Sequence, residues 1–395
     1  MIKRILETRL KEVSRQYPVV TLTGPRQSGK TTLCRMAFPK KAYVSLENLD
    51  SREFSKNDPR GFLSGFPEGA IIDEIQRAPE ILSYIQTLVD EKQKNGMFIL
   101  TGSQQFEVTN RVNQSLAGRT ALLKLLPFAV SELNIDLTSA DIDRLILTGF
   151  YPRIHDQKLD PVQALGDYIE TYVERDLRQL INLKDLNLFE KFLKLCSGRI
   201  GQLLNLQSLA SDTGISHTTA RSWISLLEAS YIIFLLPPFF RNISRRLIKA
   251  PKLYFFDVGL ASRLMGLENT KQVSRDPLRG NLFENLVVIE ALKFRFNRGK
   301  PANMFFFRDS RGSEVDLVLE YGRELVPIEI KSGATVAGDF FKGIRLFESL
   351  FPEAHGNGAL IYGGDLSFNR ENTITAPCTK ITQTISNLEK KILNK

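Results

Sequence analysis

The sequence predicts an α/β protein of more than one domain, and three local patterns carry that prediction. A β-branched run near the N-terminus passes through a glycine-rich turn into a helical pattern. A helix, a glycine turn and a second helix stand near residue 210, and a helix followed by strand-like runs lies near the C-terminus. At 395 residues the chain exceeds one ordinary core, and domains of roughly 100 to 200 residues imply two or three. A hydrophobic fraction of 43% and a charged fraction of 25% are globular values, which excludes disorder, collagen-like repeats and coiled coil for the whole chain. The longest apolar run, residues 231–240, contains Pro237 and Pro238 and is about half a membrane span, so no membrane helix and no membrane partner is expected. Lys3, Arg4, Glu7, Arg9 and Lys11 recur at helical spacing, without the apolar centre of a signal peptide, and point to the cytoplasm. Cys34, Cys196 and Cys378 show no CxxC spacing, so neither a disulfide framework nor a zinc site is expected. The net charge of +9, from 53 basic and 44 acidic residues, suits a polyanionic partner, although solubility is served by the same excess.

Residues 18–23 (PVVTLT) have the composition of a buried strand. They run into Gly24, Pro25, Arg26, Gln27, Ser28, Gly29, Lys30 and Thr31, with Thr32 opening a helical stretch. This is GxxxxGK[ST] in strand-loop-helix context, the signature of a phosphate-binding loop. Glycines let backbone N–H groups turn toward phosphate oxygens, and the helix N-terminus adds partial positive charge. Lys30 would reach the β- and γ-phosphates of ATP, and the Thr31 hydroxyl would ligate Mg²⁺.

About forty residues downstream a second apolar run ends in Asp73 and Glu74. Asp73 suits the surroundings of Mg²⁺, and Glu74 suits a general base for the attacking water. A third run, residues 97–100 (MFIL), ends in Thr101, Gly102 and Ser103. Two readings stand for Thr101 and Ser103: sensing the γ-phosphate or orienting water, and capping a helix after a turn. Two also stand for Arg111 and Arg119: an arginine finger, in cis or from a neighbouring subunit of a homo-oligomer, and a surface ion pair.

The strings GPRQSGKTT, IIDEIQ, LTGSQ and LAGR, at Gly24, Ile71, Leu100 and Leu116, together resemble the AAA-type ATPases of bacteria and archaea. The resemblance continues through GFYPR at Gly149, YVERDL at Tyr172, YFFDVGL at Tyr254, Phe283-Glu284-Asn285 and Glu329-Ile330-Lys331. It implies ATP binding and hydrolysis, a winged-helix segment and a nuclease-like C-terminus. Arg153 and Arg175, inside these strings, read as salt-bridge residues ahead of nucleotide contacts.

Residues 135–194 have a helical pattern and read as a lid or connector. Residues 206–213, Gly214 and residues 216–230 then form a helix-turn-helix pattern, the second helix capped by Ser216. It leaves His217, Thr218, Thr219, Arg221 and Ser222 at the exposed start of the second helix, where residues that read DNA would sit. Two strand-like runs, 231–236 and 253–256, can form a wing. Arg241, Arg245, Arg246, Lys249 and Lys252 lie between residues 237 and 252 without an acidic residue, a stripe suited to DNA phosphates. Winged helices also serve as protein-interaction modules.

Residues 280–296 read as a helix containing Glu284, followed by strands over 305–307, 315–321 and 324–331. Gly322 and Arg323 form a two-residue turn, so Tyr321 faces Glu324, and counting back sets Asp316 opposite Glu329 and Glu314 opposite Lys331. Two carboxylates and a lysine then share one face, and opposed like charges call for a neutralising partner. A divalent metal, Mg²⁺ or Mn²⁺, between Asp316 and Glu329 would serve, with Lys331 stabilising a water or an oxyanion. Helix, Asp, then Glu-x-Lys resembles the PD-(D/E)XK nuclease core, with Glu284 at the position of the helix acid. The alternative is an inert fold with Glu314 paired to Lys331.

The expected organisation is a P-loop AAA-type ATPase domain over 1–134, a helical lid over 135–194, a winged helix-turn-helix over 195–265 and an α/β nuclease-like domain over 275–395. Two functions follow. One is an ATPase that engages DNA and couples nucleotide state to cleavage. The other is a nucleotide-dependent switch that binds a protein partner and carries an inactive nuclease-like fold.

Overall fold

The structure is a computed structural model and describes residues 2–103, 115–133, 135–174, 186–241, 249–370 and 372–394. The chain divides into two compact units. One comprises residues 1–128, 229–231 and 295–301, the other residues 129–228, 232–294 and 302–395.

In the first unit the described elements run α1 (Leu6–Ser14), β1 (Val19–Thr23), α2 (Lys30–Ala37), β2 (Ala42–Ser45), α3 (Leu49–Asn57), α4 (Pro59–Ser64), β3 (Ala70–Asp73), α5 (Ile81–Lys92), β4 (Phe98–Gly102) and β5 (Thr120–Lys124). The strands form one parallel sheet in the order β2-β3-β4-β1-β5. Pleat alternation sends Val19, Ile72, Phe98 and Leu100 to one face, where Phe62 of α4 and Ile81 and Ile85 of α5 cover them. Val20, Leu22, Ile71 and Ile99 go to the other, under Leu6 and Leu10 of α1 and Leu33 of α2. Burial on both faces is why these strands read as continuous apolar runs. The parallel arrangement also brings the C-terminal ends of β1, β3 and β4 to one edge, where ligands of open α/β sheets bind. The short edge strands β2 and β5 carried no strand signal in the sequence.

In the second unit the described helices are α6 (Ile142–Thr148), α7 (Pro152–Gln157), α8 (Pro161–Tyr168), α9 (Leu186–Ser197), α10 (Leu206–Thr213) and α11 (His217–Ala229). After them come β6 (Ile233–Leu236), β7 (Lys252–Phe255), α12 (Val258–Leu264), α13 (Thr270–Arg275) and α14 (Arg279–Phe296), whose last turn belongs to the first unit. The remainder is β8 (Met304–Arg308), β9 (Glu314–Tyr321), β10 (Glu324–Lys331), α15 (Lys342–Leu350), β11 (Ala359–Tyr362), β12 (Phe368–Arg370), β13 (Thr373–Pro377) and α16 (Ile381–Leu393). Gly214 ends α10 with φ +88°, and the Ser216 hydroxyl accepts the Thr219 N–H at 3.0 Å to start α11. Trp223 of α11 packs edge-on against Phe189 and Phe192 of α9, both at 5.2 Å. β6 and β7 pair antiparallel, Ile233 opposite Phe255. The last six strands form a mixed sheet in the order β12-β13-β11-β10-β9-β8. Among the described residues no helix is long and apolar enough to cross a membrane.

Two expectations are corrected here. Tyr321 does pair with Glu324, and the ladder runs to Leu317 opposite Ile328. There it stops, because the Asp316 carboxylate accepts the Ile330 N–H at 2.8 Å, so Asp316 faces backbone as well as side chains. The uncompensated basic stripe is also reduced. Arg241 donates to both oxygens of Glu353 at 2.8 and 3.0 Å, and Lys252 is buried in ion pairs. Lys249 is exposed, and Arg245 and Arg246 lie outside the described residues.

Candidate nucleotide site

The loop after β1 is held in a shape that its side chains could not dictate alone. Gly24 has φ +152°, and a Cβ there would stand 2.0 Å from the Leu125 carbonyl oxygen. Gly29, with φ +86°, is the residue before α2, where a left-handed backbone is least costly for glycine. Gln27 is left-handed too, with φ +60°. Lys30 is buried, and its ammonium donates to the carbonyls of Gly24 at 3.0 Å and Pro25 at 2.8 Å. Burial pulls the Lys30 pKa down, against the pull of Glu74 and Asp73. The Ser28 hydroxyl is buried and has no hydrogen-bond partner among the described residues. Thr31 and Thr32 border a cavity of about 490 Å³ whose lining includes Arg35 and Tyr43.

The acids at the end of β3 face this loop. Asp73 accepts hydrogen bonds from Thr31 at 2.9 Å, from the Tyr43 hydroxyl at 3.0 Å and from Thr101. Burial and Asp73 together push the Tyr43 hydroxyl up to about 12. Glu74 adopts φ +57°, a strained conformation for a non-glycine residue. Its carboxylate accepts from Ser103 at 3.0 Å and from Gln76, and Gln76 also donates to Ser103 at 3.1 Å. Each acid at the end of β3 is thus tied to a hydroxyl at the end of β4, Asp73 to Thr101 and Glu74 to Ser103. Tyr43 and Gln76 were not among the candidates from sequence. Gln76 had a signal, since it ends the string IIDEIQ, whereas Tyr43 sits on an edge strand with none.

A family model for an AAA domain matches residues 16–134. That match spans the five-stranded parallel sheet, the loop of residues 24–32 and both Asp73 and Glu74. Two models for domains of unknown function match further segments, DUF8612 over residues 139–271 and DUF4143 over residues 279–381. The uncharacterized proteins Rv2008c of Mycobacterium tuberculosis and Mb2031c of Mycobacterium bovis are each 29% identical over 388 residues, spanning 97% of this chain and 85% of theirs. Among solved structures, the Walker-type ATPase PABY2304 of Pyrococcus abyssi aligns with a TM-score of 0.44 at 17% identity, over 67% of this chain and 96% of its own. A STAND protein with a tetratricopeptide repeat sensor, PH0952 of Pyrococcus horikoshii, aligns with a TM-score of 0.22 at 12% identity, over 75% of this chain and 47% of its own.

Within residues 16–134, strand register corrects one expectation. Thr120 pairs with Val19, so Arg119 precedes the start of β5, at the opposite edge of the sheet from Gly24. There it donates to both oxygens of Asp90, at 2.6 and 2.8 Å. A finger in its own chain is excluded by that placement. Arg111 lies outside the described residues, as does Arg175. Arg153 is exposed and reaches Gln157 at 3.2 Å.

The second unit gathers the other predicted acids. Lys331 donates to Glu329 at 2.6 Å and to Asp316 at 3.4 Å, so these three do share a face. Glu284 joins them from α14, where one of its carboxylate oxygens accepts from both Lys252, at 2.9 Å, and the Tyr254 hydroxyl. Lys252 also pairs with Glu314, in place of the expected Glu314 and Lys331 pair. Glu329 keeps one buried oxygen that has no partner among the described residues. Burial first and Asp316 second raise Glu329 to about 8 and Glu284 to about 7. With Lys252 on Glu284 and Lys331 on both Glu329 and Asp316, the cluster is neutralised by its own lysines, which does not fit a divalent cation held by Glu284, Asp316 and Glu329. Among the described residues no group of three or more His, Cys, Asp or Glu side chains is arranged to hold a metal.

Proposed function

We propose that this chain binds and hydrolyses ATP at the loop of residues 24–32, and that nucleotide state acts as a switch on its C-terminal half. The observation that carries the reading is the convergence of Lys30, Thr31, Asp73, Glu74, Thr101 and Ser103 at one edge of the parallel sheet. The backbone amides of the loop and the start of α2 would receive phosphate oxygens, and Lys30 would exchange its two carbonyl acceptors for the β- and γ-phosphates. Thr31 and Asp73, already joined, would hold Mg²⁺, which supplies charge neutralisation to the phosphates. Glu74 takes the proton of a water as its oxygen attacks the γ-phosphorus and the bond to the leaving ADP oxygen breaks. Ser103 and Gln76 hold the Glu74 carboxylate, and Thr101 and Tyr43 hold Asp73.

The proposed organisation keeps the four segments 1–134, 135–194, 195–265 and 275–395. α10 and α11 with the β6–β7 ladder are read as a winged helix. His217, Thr218 and Arg221 are exposed at the start of α11 and form its proposed contact surface for nucleic acid, beside the half-buried Thr219. The last segment is read as a nuclease-like fold. The ion pairs of Lys252 with Glu284 and of Lys331 with Asp316 and Glu329 favour the switch reading over metal-dependent cleavage, since each acid that a metal would need already faces a lysine.

ATP turnover by the purified chain tests the first half. Wild type is expected to release phosphate, Lys30→Ala to lose binding and turnover, and Glu74→Gln to keep binding while losing turnover by about a hundredfold or more. Turnover in Glu74→Gln equal to wild type would remove the base assignment. Plasmid incubated with Mg²⁺ or Mn²⁺ is expected to stay intact; cleavage lost in Asp316→Ala would restore the nuclease reading.

A further inference from the structure

Arg4 is a buried cation that touches the nucleotide loop and has no part in the chemistry above. It stands just before α1 and is 7% exposed. One guanidinium nitrogen donates to the Ser28 carbonyl at 2.7 Å. The other donates to the Leu126 carbonyl at 2.7 Å, with Pro127 at 3.5 Å, and the group lies 4.8 Å from the centre of the Phe128 ring. All of these residues belong to the first unit. A rigid fork thus bridges the phosphate-type loop and the segment leaving β5, the same segment whose Leu125 carbonyl leaves no room for a Cβ at Gly24.

We propose that Arg4 is a positioning residue for nucleotide binding, which presets the Ser28–Gly29 peptide. The inference rests on the nucleotide reading of the loop. In a trans peptide the C=O and the following N–H point in opposite directions. Drawing the Ser28 carbonyl onto Arg4 therefore turns the Gly29 N–H the other way, at the start of α2 where phosphate oxygens would be received. Glycine at 29 has no side chain to hold that peptide, and its backbone freedom would otherwise spend binding energy on ordering the loop. The flat, charged fork is what spans two chain segments; an ammonium is a point charge and cannot replace it. Since a preset amide serves bound substrate and transition state alike, its loss raises KM and leaves kcat nearly unchanged.

The test measures steady-state kinetics and MgATP affinity for wild type, Arg4→Lys, Arg4→Ala and Leu10→Ala. Leu10 is fully buried on α1 and touches the sheet core, so its truncation loosens the same helix without touching Ser28. Arg4→Lys and Arg4→Ala are expected to raise KM and Kd about tenfold, roughly 1.4 kcal/mol, with kcat within about twofold. Added guanidinium ion is expected to restore KM in Arg4→Ala, and added ammonium ion is not. Leu10→Ala is expected to lower the melting temperature with KM unchanged. A wild-type KM in Arg4→Lys, or an equal rise in Leu10→Ala, overturns the positioning role alone. A wild type that binds no MgATP overturns the nucleotide reading and this inference with it.

Discussion

Lys252 shows how much one side chain can change the reading of a site. Counted along the sequence it is the last member of a basic stripe; in the fold it is 4% exposed and holds Glu284 and Glu314 at once. It also stands 5.6 Å from the centre of the Phe306 ring. Removing one partner of a buried pair leaves the others charged and unsatisfied, which costs roughly 3–5 kcal/mol. Lys252→Met is therefore expected to lower the urea midpoint strongly, and Lys252→Met with Glu284→Gln and Glu314→Gln to recover a large part of the loss. Denaturation followed by the fluorescence of Trp223, the single tryptophan, reads this in the second unit. A Lys252→Met midpoint equal to wild type would show the cluster to be energetically idle.

At the level of elements, the strings that stood out in the C-terminal half act chiefly as joints. In Phe283-Glu284-Asn285, Glu284 receives Lys252 and Tyr254 while Asn285 pairs with both the N–H and the carbonyl of Phe255, at 2.7 and 3.0 Å. α14 thereby recognises β7 by side chain and by backbone. In the string YFFDVGL, Asp257 accepts the Leu260 N–H that starts α12 and the Phe150 N–H of GFYPR, and a Cβ on Gly259 would stand 2.6 Å from the Gly149 nitrogen. The pairing of β9 and β10 carries a titration. Glu329 and Glu284 have folded pKa values above the roughly 4.3 of a free glutamate. The folded state then binds more protons than the unfolded state, and stability falls as pH rises from about 5 toward 8. The urea midpoint is expected to be higher at pH 6 than at pH 9, with a smaller difference in Glu329→Gln. An unchanged difference would assign the effect elsewhere. The first strands, the phosphate-type loop, the two helices around Gly214 and the Gly322 turn were legible because local period and glycine placement decide them. Arg119, Lys252 and the end of the β9–β10 ladder were not. Their partners, Asp90, Glu284 and the Ile330 N–H, depend on contacts between distant segments or on a side chain replacing a ladder bond.

For the whole molecule, the proposed switch makes a prediction that the two units report separately. Binding to the folded state stabilises by about 2.7 kcal/mol at a hundredfold excess over Kd. MgATP should therefore raise the melting temperature of the first unit, read by circular dichroism. If nucleotide state is transmitted, the Trp223 transition, which belongs to the second unit, rises too, and does so in wild type but not in Lys30→Ala. A Trp223 transition indifferent to MgATP would reduce the protein to an ATPase with an unlinked C-terminal half. Following that transmission directly is made simpler by the three cysteines. Cys34 lies on the buried face of α2, Cys196 in α9 and Cys378 after β13; all are buried and free, and burial pushes each thiol pKa up. Thiols so placed are poor nucleophiles. A cysteine introduced at exposed Ser222 would then be the reactive one in an otherwise native chain, so maleimide dyes or spin labels could be attached there without first replacing the others.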